Sequence, residues 1–451
     1  MFDRIDRENI SGKFNYQYSK HICNMILNRI WIWMFLVSML VGLSKLIFWQ
    51  DTEIFKDMFE ALMGAGKTGF EVSLFLTGAI CLWMGIMKIG ENGGAVNKLA
   101  KLVSPLFTKI FPDIPKDHPA VGAIMMNFSA NMLGLDNSAT PLGLKAMQEL
   151  QSLNPEKEKA SNAQIMFLVL NTSGLTIIPV SIFALLATVD YQESPSIVFL
   201  PILVSTYFAS LAGLIIVAIK QRINLLNRTV LSYLGSFTAL ILGVVYYVLN
   251  HPQEGEIISS VGGNLLIFGI ITAFVLMAMR KKVNVYDSFI EGAKDGFNVA
   301  IKIIPYLIAI LAAISLLRAS GTLDVVLNGI KQAVYLLGLT ATEWVDALPV
   351  GLMKPLSGSG ARGALVEIMN QFDTIPFKEA LKSGNSIQMS MQTKIASTMQ
   401  GSTETTLYVL AVYFGSVGIK NTRYAATAGL LCDLIGIIVA IIVSYIFFGN
   451  V

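Results

Sequence analysis

The sequence predicts an all-α polytopic membrane protein, with about nine transmembrane helices, two re-entrant helical hairpins and an inverted repeat. Three observations predict it. The 451 residues are 54% hydrophobic and 14% charged, where soluble domains hold about 45–50% and 25%, and the mean hydropathy is +0.62. Apolar stretches of about 20 residues, each long enough for about 30 Å of hydrocarbon, recur along the whole chain. The same order of elements appears twice. This composition excludes a disordered chain, a disulfide scaffold and an ordinary soluble enzyme.

The crossings fall at 30–49, 73–89, 163–188, 197–219, 230–249, 257–279, 299–317, 403–419 and 425–448, with a polar tail, 1–29, before them. Lys and Arg gather on the cytoplasmic side of membrane proteins. A cytoplasmic tail (Arg4, Arg7, Lys13, Lys20, Arg29) puts 220–229 and 280–298, both basic, inside. It puts 189–196 and 250–256, which lack Lys and Arg, outside. The expected location is a bacterial inner membrane, with the N-terminus cytoplasmic and the C-terminus external. Segment 50–72 reads as an external loop, and 94–112 as an amphipathic interfacial helix bearing Lys98, Lys101 and Lys109.

That count requires 118–134 and 342–372 to enter and leave on one side. The first reads as a helix over 118–127, a polar loop over 128–139 and a helix restarting at Thr140-Pro141, an N-cap and first helical residue. The second reads as a helix over 342–353, a loop over 354–360 and a helix over 361–372. Irregular backbone at membrane depth persists only where it is buried in protein or lines a cavity.

The repeat has an offset of 227 residues early on, where Gly69 answers Gly296 and Gly94 answers Gly321. It is 230 later, where Asn127 and Ser129 meet Ser357 and Ser359, and 171–173 meets 401–403. The units are 30–229 and 257–451, joined by 230–256. Five crossings separate their starts, so they run in opposite senses, the architecture of secondary transporters with a midplane site.

Four polar clusters lie at that depth. Asn127, Ser129 and Asn131 form one, and Asn171, Thr172 and Ser173 the next. Ser357 and Ser359 form the third, and Gln400, Ser402, Thr403 and Glu404 the last. Burying an unpaired amide or hydroxyl costs about 1–3 kcal/mol on protein mutational scales. Four clusters in corresponding positions therefore read as a site for a polar solute rather than only as glue between helices. Intramembrane acids mark function by default, so Glu404 and Asp433, with Asp136 and Asn137 in the first hairpin, are the expected ion-coupling residues. Asp433 has a second reading, an ion pair with Lys302 or Lys354, and Lys354 has one as a partner of Glu404.

Other motifs carry no chemistry. Gly64-Ala-Gly-Lys-Thr68 lacks the glycine that a phosphate loop needs at position 61. Three cysteines and three histidines, widely spaced, make no metal centre, and no cofactor is expected beyond Na⁺ as a coupling ion. A net charge of +3 gives no reason to expect nucleic acid. His118, the only histidine near polar residues, falls at the expected cytoplasmic interface, so a Ser–His hydrolase is not expected either.

The run Lys116–Met147, with 160–162 and 167–172, strongly resembles spore maturation protein A. Segments 291–297, 355–360, 400–406 and 413–420 resemble spore maturation protein B. The chain is thus similar to a fusion of the two, members of a group sharing a nucleoside recognition, or gate, domain. That domain also occurs in concentrative nucleoside transporters and bacterial ferrous iron transporters. The resemblance implies the concentrative nucleoside transporter plan and a role in spore maturation. This chain has no counterpart of the acid those transporters place in the first hairpin for ribose, so the solute class stays open. The expected function is a Na⁺- or H⁺-coupled secondary transporter of a small polar solute, with the bilayer and a second copy of the chain as partners. The alternative is a non-transporting channel or partner protein in envelope or spore maturation.

Overall fold

The computed structural model describes residues 28–373 and 387–449; the side chains of 136–138 and 252 are also outside the described residues. Among the described residues there are helices, turns and two isolated β-bridges, and no strand. Among the described residues, seven helices are long and apolar enough to cross a bilayer. The molecule is a multi-pass membrane protein.

The first unit opens with α1 (Asn28–Trp49) and α2 (Ile54–Gly93), followed by α3 (Ala95–Ile110). A helical pair comes next, α4 (Pro119–Met132) and α5 (Asp136–Leu153). Two short helices, α6 (Asn162–Ser173) and α7 (Val180–Leu186), then precede α8 (Phe199–Gln221). After α9 (Arg228–Asn250) the order returns: α10 (Gly255–Arg280), α11 (Val285–Ala319), α12 (Thr322–Leu336) and the pair α13 (Glu343–Met353) and α14 (Gly358–Phe372). Short helices α15 (Met391–Gly401) and α16 (Thr406–Ser416) and the long α17 (Ala425–Phe448) close it.

The expected crossings 163–188 and 403–419, read as broken by polar residues, are interrupted. Asn171-Thr-Ser-Gly174 separates α6 from α7 within the first, while Gly401-Ser-Thr-Glu404 separates α16 from α15, which lies before the expected start of the second. The expected loop 50–72 is helical from Ile54, because α2 runs 40 residues, about 60 Å at 1.5 Å per residue. Its first half mixes acids and lysines with apolar residues, so its hydropathy is low although its helical register is unbroken. The loop expected over 128–139 shrinks to 133–135, since Ser129 and Ala130, both fully buried, continue α4. Segment 94–112 is helix α3, as read from its amphipathic pattern.

Helices α2 and α11 pack side by side along glycines. A Cβ on Gly69 would lie 2.7 Å from Ile308, one on Gly85 2.6 Å from Phe289, and one on Gly292 2.3 Å from the Met84 carbonyl. The pairings run in opposite senses, so the helices are antiparallel. They also exchange under the repeat. Gly69 meets Ile308, and their equivalents 227 residues away, Gly296 and Cys81, meet each other. Gly94 and Gly321 stand at φ +87 and +80, each ending a long helix and starting a short one. Only glycine holds that conformation without strain.

Candidate functional site

Helix α6 starts at a capping box, Ser161 with Gln164, and ends at Gly174 in the left-handed region, φ +50. Helix α15 starts at the cap of Ser390 and ends at Gly401. Between these ends the two interrupted segments meet: the Glu404 backbone N–H donates to the Thr172 carbonyl at 2.8 Å. A Cβ on Gly174 would lie 2.7 Å from Glu404 Cγ, so glycine is required there on two counts.

The segments run antiparallel, because they are tied at both ends as well as at the crossing. Lys159, before α6, bridges Asn421, after α16; Tyr191, after α7, bridges Ile387, before α15. These clasps also correspond under the repeat, at offsets of 228 and 230. In one, Ala160 N–H donates to Asn421 O, while the Lys420 and Asn421 N–H groups donate to Glu158 O. In the other, Gln192 N–H donates to Ile387 O, and Ile387 N–H donates to Asp190 O.

Each helical pair leans its tip on the crossing. Ile177 N–H donates to Met132 O, and Leu407 N–H, at offset 230, donates to Pro355 O. Asn131 Nδ2 donates to Asn171 Oδ1 at 2.7 Å. Asn127 Nδ2 donates to Ala139 O at 2.7 Å and to Tyr413 Oη at 3.3 Å. Ser357 caps α14, and Gln400 Nε2 donates to Gly358 O at 3.3 Å. Helix α17 lies across the second break on two glycines. A Cβ on Gly429 would come within 2.7 Å of Thr406 Cγ2, and one on Gly436 within 2.7 Å of Thr403 Cγ2. Asp433 stands between them, 2% exposed.

The predicted residues thus divide. Asn131, Asn171, Thr172, Gln400, Ser402, Thr403, Glu404 and Asp433 come together around the two breaks. Several of their donors are already used: Thr172 Oγ1 donates to Val169 O, Ser173 Oγ to Leu170 O and Ser402 Oγ to Met399 O. Such back-bonding is how short polar residues end a helix. Ser359 is half-buried at the start of α14. The side chains of Asp136 and Asn137, at the start of α5, lie outside the described residues. Of the partners weighed for Asp433, Lys354 is buried and within electrostatic reach, whereas Lys302 is exposed. Buried acceptors without a hydrogen-bond partner among the described residues include Asn127 Oδ1, Gln400 Oε1, Thr406 Oγ1 and both Asp433 oxygens. Buried polar atoms are nearly always paired, so Thr406 Oγ1 and the Asp433 carboxylate, which lie against the second break, have acceptor capacity left there.

Two features escaped sequence reasoning. Tyr413 reaches the first helical pair from α16, a contact of separation 286 with no local signature. The Tyr191–Ile387 clasp carries a buried network. Asp373 accepts from Tyr191 Oη at 2.5 Å, Ser390 Oγ at 2.8 Å, Thr393 Oγ1 at 2.9 Å and Ser390 N–H at 3.1 Å. Burial pushes the Asp373 carboxyl above the ordinary carboxylate range, against the pull of these bonds. Beside it Lys394 Nζ pairs with Glu256 at 2.5 Å and Glu193 at 3.6 Å. The Lys159–Asn421 clasp is solvated, and its Lys420–Glu158 pair is about two-thirds exposed on both sides. On the flank of the first pair, a cleft of about 520 Å³ is walled by Met87, Lys88, Met126, Leu135 and Lys145. Leu135 lies in the turn between α4 and α5, so the cleft reaches the turn that leans on the crossing.

A family model for nucleoside recognition, named Gate, matches residues 74–189 and 300–420, just over half of the chain. The chain belongs to the Gate family. Each match contains one helical pair and one interrupted segment, so the elements that build the crossing are the ones the Gate model describes. This Gate protein is also similar to spore maturation protein B of Bacillus subtilis (strain 168), 40% identical over 181 residues, which are 40% of this chain and 92% of that protein. It is similar to spore maturation protein A of the same organism, 34% identical over 191 residues, 42% of this chain and 93% of the relative.

Proposed function

We propose that this Gate protein is a secondary transporter of a small polar solute, held where the two interrupted helices cross. The observation that carries the reading is the contact of Glu404 with Thr172, with Thr406 Oγ1 and the buried Asp433 beside the same break. Two helices broken at the same depth give a solute backbone dipoles and side-chain amides without exposing them to lipid. The two helical pairs act as re-entrant hairpins whose tips lean on the breaks. The concentrative nucleoside transporter plan supplies the analogy.

In this reading the N-terminus is cytoplasmic and the Tyr191–Asp373 clasp faces outside. That clasp is buried and closed. The cleft at Lys88 and Lys145 and the solvated clasp are then on the cytoplasmic side, and the structure is closed outward. Helices α1 and α9, whose apolar windows are only 11% buried inside the molecule, are lipid-facing scaffold.

The names of the two relatives favour a second reading, a non-transporting membrane protein of envelope or spore maturation. Melting of the purified protein with nucleosides, nucleobases, amino acids and dicarboxylates separates them. A solute at 100 times its dissociation constant stabilises by about 2.7 kcal/mol, and Glu404→Ala abolishes the shift. A shift that survives Glu404→Ala unchanged refutes the placement of the site.

A further inference from the structure

Asp433 is a buried acid with no well-aligned hydrogen bond at either oxygen, and its polar neighbours are two threonine hydroxyls. Its surroundings are set by the glycines on either side, which let α17 lie directly on the second break. That approach puts the Thr403 and Thr406 hydroxyls beside the carboxylate, and Thr406 Oγ1 is itself unpartnered. The charged groups that act on Asp433 are Lys354, at the end of α13, and Glu404, in the break. Helices α6 and α8 bring only uncharged residues there, Thr172, Ala209 and Gly213, and on α17 itself the neighbouring titratable group is the buried Cys432 thiol. With all three ionised, Asp433, Glu404 and Lys354 carry one net negative charge. A buried charge without compensation is not held in a low-dielectric interior; it is neutralised or paired.

We propose that Asp433, with the Thr403 and Thr406 hydroxyls, binds one monovalent cation, a proton or Na⁺, which brings Asp433, Glu404 and Lys354 together to neutrality. Its ligand set is oxygen alone, one carboxylate and two hydroxyls, suited to either a hard cation or a proton. The site lies one helix turn from each glycine contact and directly against the break that carries Glu404. Cation occupancy therefore changes the charge felt at the solute position. This deepens the reading of the crossing as a solute site and rests on it for the coupling, while cation binding itself stands without a solute.

The test is thermal melting of the full-length protein in lipid nanodiscs with no solute added. Na⁺ replaces choline at constant ionic strength in one series, and pH is varied in choline in the other. A melting temperature that rises with Na⁺ identifies the cation as Na⁺. One that rises on acidification and ignores Na⁺ identifies a proton. In either case Asp433→Asn, which removes the net charge while keeping the shape, melts at least as high as the wild type in cation-free alkaline medium and responds to neither series. If Asp433→Asn does not fold, Thr406→Val shifts the midpoint of the same dependence by about tenfold, the loss of one oxygen partner. The proposal is overturned if the wild type is flat in both series, or if its dependence persists in Asp433→Asn or has an unmoved midpoint in Thr406→Val. Because no solute is present, a flat response removes the cation site and leaves the solute reading to its own screen.

Discussion

Replacing Asp373 by alanine removes the acceptor on which the Tyr191–Ile387 clasp is built. Four donors converge on that carboxylate. The Ser390 and Thr393 hydroxyls lie 3.0 Å apart and can turn to each other. The Tyr191 hydroxyl and the Ser390 N–H are left stranded. Two stranded buried donors cost about 1–3 kcal/mol each. Release of the buried carboxylate charge offsets part of this, for a net loss of about 2–4 kcal/mol. Asp373→Asn keeps an oxygen for the Ser390 N–H and offers an amide to Tyr191, and should stay within about 1 kcal/mol of the wild type. Hydrogen exchange at the Gln192 and Ile387 amides, which close the clasp, reads the local opening. Asp373→Ala should speed it by about thirtyfold to several hundredfold, and Asp373→Asn by less than about tenfold. Equal acceleration by both, or by neither, refutes the reasoning. The sign with pH is also fixed. Burial raises the carboxyl above its ordinary value in the folded state, so the clasp is strongest when Asp373 is protonated. It weakens as pH rises from the ordinary carboxylate range through the raised one. Exchange corrected for its intrinsic rate should slow on acidification in the wild type and not in Asp373→Asn.

The other predictions concern the crossing and the solvated clasp. Gly174→Ala forces a side chain into φ +50 and against Glu404 Cγ, costing more than the about 1–2 kcal/mol of the backbone conformation alone. Gly66→Ala, with nothing within 4 Å, should be neutral or slightly stabilising in the same melt. Asn131→Ala strands Asn171 Oδ1 and should cost about 1–3 kcal/mol, with a lowered melting temperature as the readout. Lys420→Ala breaks a pair exposed on both sides and should change stability by less than about 1 kcal/mol. A large loss there would contradict the difference between the two clasps.

What the sequence reveals follows the reach of each signal. Long apolar runs and the 227-residue offset are strong enough to give seven of the nine expected spans, the two helical pairs and the matching glycines at 94 and 321, both left-handed in the structure. The polar interruptions at 171–174 and 401–404 mark where helices stop, but not that the stops touch. Contact needs the antiparallel register of the two segments, which resides in bridges between residues 196 or more positions apart. The start of α2 is hidden because hydropathy averages over a window and its charges dilute the signal. Gly429, Asp433 and Gly436 share one helical face, a small-residue stripe that brings helices close in a membrane. That signal is present in the sequence, although the element it packs against is not. Tyr191 and Asp373 lie in polar connections with no periodicity, so their pairing has no local trace.

The most direct test of the central claim is a melting screen of the detergent-solubilised protein against nucleosides, nucleobases, amino acids and dicarboxylates, run in parallel on the wild type and Glu404→Ala. The account predicts that one solute class raises the wild-type melting temperature and leaves Glu404→Ala unmoved. A folded, monodisperse wild type that responds to no class would contradict a solute site at the crossing and favour a channel or assembly partner in spore maturation.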